Sequence, residues 1–353
     1  RLEVWPSHCL RQRKLDCRNA GEVAAVCQDE QMSRILYLSH DPVRPVGGVR
    51  VIYRHVEILR NAGFDAYVVH RTPGLRLDWF QSSAPVLYAT GQFAVSTSDW
   101  LVMPEDHRDM LQAFANFPGR KVLFCQNHWY VFNGIDSDQS WADFGISDVI
   151  VSSKPIRDFA RRVMRADPTL IPLSIDPAVF HGTPDARPLQ VAVMPRKGGQ
   201  HMRFIRGAML HLEPALSDVP WVEIHGCNEG QVAALLRQSP FFLSTGFHEG
   251  FGLPPVEAMA CGAIPVGFTG GGGDDYATAE NGFWVADEDT ITLAETLARL
   301  LVAYRSNPQD ARWRRLQDAG FATARSYSPD SEADALTGFW SKRLAQRAAE
   351  AVT

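Results

Sequence analysis

The sequence predicts an α/β protein made of two doubly wound, Rossmann-like domains with parallel sheets, facing each other across a central cleft. Three observations carry this expectation. The chain has 353 residues, enough for two domains at roughly 150 residues each. Short apolar runs alternate with stretches of helical period, which is the pattern of βαβ units. That alternation stops at a proline cluster, Pro172, Pro177, Pro184 and Pro188, and then begins again.

Residues 1–31 are polar and aperiodic and read as an appended, poorly ordered extension. The first domain is expected over 32–182. Residues 34–39, Arg-Ile-Leu-Tyr-Leu-Ser, make a continuous apolar run of the kind found in a strand covered on both faces. A loop ending in Gly47-Gly48 follows. Val49, Ile52, Val56 and Leu59 then recur at helical spacing up to Gly63, which suits the position just past a helix end. Further strands are expected at 65–70, 100–103, 121–125 and 149–151, the last followed by a helix over 155–166. The second domain, 183–329, repeats the pattern with strands at 190–194, 221–225, 241–244 and 263–266. Its helices fall near 201–212, from Glu229, from Pro254 and over 290–305. The tail, 330–353, is helical, with Leu336, Phe339, Trp340 and Leu344 on one face. In open parallel sheets ligands bind beyond the carboxyl ends of the strands, so the chemistry belongs in the loops lining the cleft.

Hydrophobic residues make up 45% and charged residues 21%, the balance of an ordinary globular chain. Lys and Arg number 35 against 40 Asp and Glu, and the net charge of −5 argues against binding of long nucleic acid. There is no run of about 18 apolar residues, so no spanning helix is expected. Arg11, Arg13 and Lys14 are not followed by the apolar stretch of a secretory signal. The cysteines, at 9, 17, 27, 125, 227 and 261, form no C-x-x-C pair and read as reduced thiols of a cytoplasmic protein. Cys9, Cys17 and Cys27 with His8 fit no usual zinc spacing.

The most informative stretch is Gly246-Phe-His-Glu-Gly-Phe-Gly-Leu-Pro-Pro-Val-Glu-Ala-Met-Ala-Cys-Gly262, which follows the apolar run at 241–244. Pro254 and Pro255 suit a first helical turn, yet Phe251, Gly252 and Leu253 before them offer no capping side chain. The first-turn N–H groups are therefore open to a phosphate or sugar oxygen, and Gly250 and Gly252 clear its approach. Glu257 is expected in that first turn, where its charge favours the helix dipole and its carboxylate can grip paired hydroxyls. Upstream, Val193-Met-Pro-Arg-Lys-Gly-Gly199 puts Arg196 and Lys197 directly after a strand. Asp274-Asp275 and Asp287-Glu288-Asp289 do not follow apolar strands, as a metal-holding Asp-x-Asp should, and read as loop charges.

With Glu249 eight positions before Glu257, the string resembles the Glu, seven residues, Glu motif of retaining GT-B glycosyltransferases, in particular glycosyltransferase family 4 (group 1). The resemblance runs over about 32–345. Gly47-Gly48 resembles the family's N-terminal loop, which touches donor phosphate and acceptor. Ile171-Pro-Leu-Ser-Ile-Asp-Pro-Ala-Val-Phe180 resembles its interdomain segment, with Leu173-Ser174 in place of Asn-Gly. The resemblance implies a GT-B fold and a retaining transfer of a hexosyl or deoxyhexosyl unit from a nucleotide-diphosphate donor to a hydroxyl acceptor. It places that transfer in bacterial-type polysaccharide or glycolipid assembly.

By the same resemblance Glu257 binds the donor ribose, Glu249 lies beside the transferred sugar, and the backbone at Phe251, Gly252 and Leu253 touches donor oxygens. Gly271 and Gly272, in the four-glycine loop 270–273, read either as closing over the donor sugar, as the resemblance implies, or as a flexible turn. Breaking a sugar–diphosphate bond builds negative charge on the leaving group, which a divalent ion or fixed cations must meet; Arg196 with Lys197 can do so, and the resemblance implies no required metal and no cofactor. Many members carry a His after the strand at 121–125. Here Gln126 holds that position and His128 stands two later, so either Gln126 hydrogen-bonds the sugar or His128 reaches in from a shifted loop. Glu105, His40 and Asp41 belong to the same rim. The implied partners are a nucleotide-sugar donor and a glycan or lipid-linked acceptor. The helix at 155–166, with Arg157, Arg161, Arg162 and Arg165 beside Ile156, Phe159 and Val163, reads either as a contact with the inner face of a membrane or as a solvated face. The tail helix is implied to cross back to the first domain. A catalytically idle nucleotide-sugar binder and a GT-B phosphorylase or epimerase are the alternatives. A dinucleotide oxidoreductase is disfavoured, because no G-x-G-x-x-G follows a strand.

Overall fold

A computed structural model describes residues 33–90 and 93–352. The extension expected over 1–31, with Cys9, Cys17 and Cys27, lies outside the described residues. The first sheet contains β1 (Ile35–Leu38), β2 (Ala66–His70), β3 (Val86–Tyr88), β4 (Trp100–Pro104), β5 (Arg120–Cys125), β6 (Asp148–Val151) and β7 (Thr169–Leu170), in the order β3-β2-β1-β4-β5-β6-β7. The second contains β8 (Val191–Val193), β9 (Trp221–Glu223), β10 (Phe241–Ser244), β11 (Ile264–Phe268) and β12 (Phe283–Val285), in the order β12-β11-β10-β8-β9. All strand pairs are parallel.

The apolar runs work as a double-faced parallel sheet requires. In β1, Ile35 and Tyr37 join one buried cluster while Leu36 and Leu38 join another on the opposite face. In β10, Phe242 joins the cluster that also holds Ile35, whereas Phe241 and Leu243 face a third. One apolar core therefore runs continuously from the first lobe into the second.

Each sheet has one point where the strand order reverses, and that is where a doubly wound sheet opens a crevice. In the first sheet it lies beyond the carboxyl ends of β1 and β4, in the second beyond β8 and β10. Helix α1 (Gly47–Asn61) leaves the β1 loop, α2 (Arg108–Phe114) the β4 loop, and α3 (Val131–Gly134) and α4 (Lys154–Arg162) follow β5 and β6. In the second lobe α5 (Gly199–Leu212) follows β8, α6 (Glu229–Gln238) follows β9, and α7 (Leu253–Ala260) follows β10. Then come α8 (Thr290–Ser306), α9 (Ala311–Ser326) and α10 (Pro329–Val352). The last lies on the first lobe: fully buried Trp340 sets its edge against Tyr37 and Trp100, and Arg343 pairs with Asp148 at 2.6 Å.

Several expectations need correction. The helix expected over 155–166 ends at Arg162, and Arg165 lies beyond it with φ of +53°. Arg157 pairs with Asp158 and Arg161 with Asp167, which reduces the basic face. The strand expected at 263–266 runs instead from Ile264 to Phe268, so the glycine loop opens later. Helix α9 was not foreseen. Its buried stripe is Trp313, Gln317, Gly320 and Ala324, a helical spacing hidden by a Gln and a Gly. Among the described residues no helix is long and apolar enough to cross a membrane, and Cys125, Cys227 and Cys261 are free.

Candidate active site

The second lobe's crevice gathers the motif residues. Gly252 caps α7 with φ of +82° and no side-chain bond, and Leu253, Pro254 and Pro255 form the first turn. The uncapped start expected from the sequence is thus present. Because the helix begins at Leu253, Glu257 is its fifth residue, in the second turn, where the dipole has faded. Glu257 owes its place to a partner from the other lobe instead: Arg50 Nη2 donates to its Oε1 at 2.9 Å. The Arg50 guanidinium also donates to Glu229 at the start of α6.

Glu249 and Lys197 meet at the reversal point between β8 and β10. Lys197 Nζ donates to Glu249 Oε2 at 2.7 Å, with the two side chains 23% and 22% exposed. Lys197 Nζ also stands 5.6 Å from the ring centre of Tyr130 in the first lobe. Arg196 beside it is exposed. Glu249 N–H donates to Gly270 O at 2.9 Å, and Gly270 N–H donates to Asp287 at 3.0 Å, which pins the glycine loop to the motif. A Cβ on Gly272 would stand 2.5 Å from Phe251 N, so Gly272 packs against the motif backbone. Asp275 pairs with Lys154, Asp274 accepts from Thr269, and Asp289 caps α8. Among the described residues no group of three or more His, Cys, Asp or Glu side chains could hold a metal ion.

The first lobe closes on this surface through polar ties. Asn127 Nδ2 donates to His248 O at 2.8 Å, and Ser153 Oγ donates to Gly250 O at 2.5 Å. A Cβ on Gly250 would stand 1.9 Å from Gln126 O, a distance no side chain tolerates, so the lobes approach this closely only over glycine. Gln126 Nε2 donates to Gly48 O at 3.1 Å, while Gly47 lies against Leu253. The Trp129 ring leans on His248 with centres 4.3 Å apart. His128 packs its ring against Trp129 and Phe159, and burial pushes its pKa down.

The remaining first-lobe candidates are held by neighbours. Glu105 is 4% exposed, and its two oxygens accept the N–H groups of Gln126 at 3.2 Å and Asn127 at 2.7 Å. Burial, helped by the neighbouring Asp106 charge, pushes the Glu105 carboxyl up to about 8. Burial would also raise Asp41, but bonds from His70 and Thr72 hold it well below the usual carboxylate range. His40 pairs with Asp106 at 2.9 Å and stacks on His107.

Sequence reasoning did not find Arg50, Glu229, Asn127 or Ser153. Arg50 left one signal: it is a charged residue inside the otherwise buried run from Val49 to Tyr53.

Known proteins match this architecture. Residues 222–315 match the family described as "Glycosyl transferases group 1". The alpha-1,6-glucosyltransferase of Actinobacillus pleuropneumoniae is 26% identical over 231 residues, which is 64% of this chain and 69% of that protein. Among solved structures, sucrose-phosphate synthase from Thermosynechococcus elongatus superposes with a TM-score of 0.66 at 16% identity, over 89% of this chain and 100% of that one. HepE of Anabaena in complex with UDP-glucose superposes at 0.63 and 14% identity, over 88% of this chain and 99% of that one. The group 1 match is seated on β9 to α9 and the structural likeness spans both lobes, so the chain has the GT-B fold and a second lobe similar to the group 1 glycosyl transferases.

Proposed function

We propose that this glycosyltransferase moves a sugar from a nucleotide-diphosphate donor to a hydroxyl acceptor with retention at the anomeric carbon. The observation that carries the reading is the Lys197–Glu249 contact at the second lobe's reversal point, faced by Gly48 and Gln126 of the first lobe. Donor diphosphate lies against Lys197 and Arg196, the ribose at Glu257, and the transferred sugar between Glu249 and Gln126. The backbone at Phe251, Gly252 and Leu253 and the loop holding Gly271 and Gly272 complete the donor side, and Gly47 and Gly48 close it from the first lobe.

In the reaction the bond from the anomeric carbon to the diphosphate oxygen breaks, and its electron pair leaves with the nucleoside diphosphate. The acceptor oxygen bonds that carbon on the same face, and its proton passes to the departing diphosphate oxygen. No strong protein base is then required. Lys197 and Arg196 stabilise the charge that develops on the leaving group, so turnover needs no divalent ion. Glu249 holds Lys197 in place and stabilises positive charge at the sugar. The acceptor is a glycan or a lipid-linked glycan, in bacterial-type polysaccharide or glycolipid assembly. A cytoplasmic setting is part of this reading, as the scattered cysteine spacing of the sequence suggests.

The name of the alpha-1,6-glucosyltransferase and the HepE complex with UDP-glucose make UDP-glucose the first donor to try. Radiolabelled UDP-glucose, and GDP-, ADP- and dTDP-sugars after it, are incubated with a panel of alkyl glycosides, and the product linkage is read by proton NMR. A product that forms only with acceptor present and keeps the donor's anomeric configuration (α from UDP-glucose) supports the reading. A product of the opposite configuration overturns retention. Donor cleavage or rearrangement without acceptor supports a phosphorylase or epimerase, and binding with no turnover supports an idle binder.

A further inference from the structure

We infer that Arg50 completes the donor-ribose site from the opposite lobe, fixing the Glu257 carboxylate and tying nucleotide binding to lobe closure. The inference rests on the assignment of Glu257 to the donor ribose made above. Arg50 stands on α1, two residues after Gly48, and is 7% exposed. Its guanidinium lies between two second-lobe carboxylates, with Nη2 donating to Glu257 at 2.9 Å and Nη1 donating to Glu229. A planar fork that bridges two carboxylates sets the angle of both, which a lysine could not do. Among the described residues Arg50 is the cation paired with each of them.

A second observation points to a ligand. Arg50 Nε is buried and has no hydrogen-bond acceptor among the described residues. A buried donor without an acceptor is costly, and here it belongs to the same guanidinium that grips Glu257. A ribose diol suits such a place, because each hydroxyl donates and accepts. One hydroxyl donating to the Glu257 carboxylate leaves oxygen lone pairs for Arg50.

The triad also crosses the cleft. Arg50 belongs to the first lobe, and Glu229 and Glu257 to the second, so an open cleft would leave both carboxylates without their cation. Closure therefore prepares Glu257 for ribose, and by reciprocity ribose binding favours closure. Arg50 is in this sense a positioning residue, acting through Glu257.

The test compares UDP with 2′-deoxy-UDP by isothermal titration calorimetry on wild type, Arg50→Gln and Arg50→Lys, with circular dichroism checking the fold of each. Wild type is expected to prefer UDP on the order of tenfold. Arg50→Gln should bind UDP on the order of tenfold more weakly and lose most of that preference. Arg50→Lys should fall between them and serves as the test if the Gln variant does not fold. In small-angle scattering UDP should compact wild type more than either variant. A folded Arg50 variant that keeps the wild-type ratio of UDP to 2′-deoxy-UDP affinity overturns the inference, because a merely structural role leaves that ratio unchanged. Absence of binding by wild type to UDP, GDP, ADP and dTDP alike overturns the donor reading itself.

Discussion

Lys197 and Glu249 at the second lobe's rim meet one another in the open, whereas Glu105 and Asp41 at the first lobe's rim are tied to their own scaffold. Lys197 and Glu249 are each more than a fifth exposed and touch across the mouth of a crevice. Glu105 is buried with both oxygens on backbone N–H groups, and Asp41 is held by His70 and Thr72. Both sets stand at strand ends beside a reversal point. Position at a strand end therefore does not by itself make a residue reactive. What remains exposed after neighbours have taken their bonds is what can meet a substrate.

The comparison breaks most readily at its reactive side. Lys197→Ala removes one of the two cations proposed to face the leaving group and should cost about 10²–10³ in kcat, the scale seen when one preorganised charge-stabilising donor is lost. Glu249→Ala should lose most turnover while UDP affinity, measured by calorimetry, stays near wild type. Unchanged turnover in either variant would move the chemistry away from this rim.

Gly250→Ala sharpens the same contrast from the backbone side. The new methyl would meet Gln126 O, so the lobes cannot close as they do here. Turnover should fall by on the order of tenfold or more while the melting temperature of the protein changes little, since the clash is relieved by opening.

The scaffold side makes the opposite prediction. Glu105→Gln exchanges one acceptor oxygen for an amide, leaving one backbone N–H unpaired, and should cost about 1–3 kcal/mol of stability. Its pH dependence has a definite sign. The Glu105 carboxyl titrates higher in the folded chain than in the unfolded one, so its contribution is full below the ordinary glutamate range. It is lost as the pH rises toward about 8. Melting temperatures taken between pH 5 and 9 should show that decline in wild type and a flatter profile in Glu105→Gln. The smallest effect is expected at His128, whose ring packs on Phe159. His128→Phe should leave kcat within about twofold, whereas Gln126→Ala should lower it.

How much of this was legible in the sequence follows from distance along the chain. The longer strands and most helices were readable because each is set by neighbours within one element, as in the buried run of β1 or the apolar stripe of α10, whereas the short β3, β7, β12, α2 and α3 were not read. The motif from Glu249 to Glu257 was readable because its chemistry is contiguous. Helix α9 was not, since Gln317 and Gly320 interrupt its apolar face while still packing inward. The Arg50–Glu257 contact spans 207 positions and Asn127–His248 spans 121, so nothing local marks either pair. Glu257 falls one turn later than expected because the helix starts at Leu253, one residue before the prolines and just after the left-handed Gly252.

A crystal of the protein soaked with UDP-glucose tests the central claim most directly. The account predicts diphosphate oxygens within hydrogen-bond distance of Lys197, the ribose hydroxyls on Glu257, and the glucose ring between Glu249 and Gln126. A nucleotide sugar bound away from the β8–β10 crevice, with Lys197 and Glu257 untouched, would contradict it.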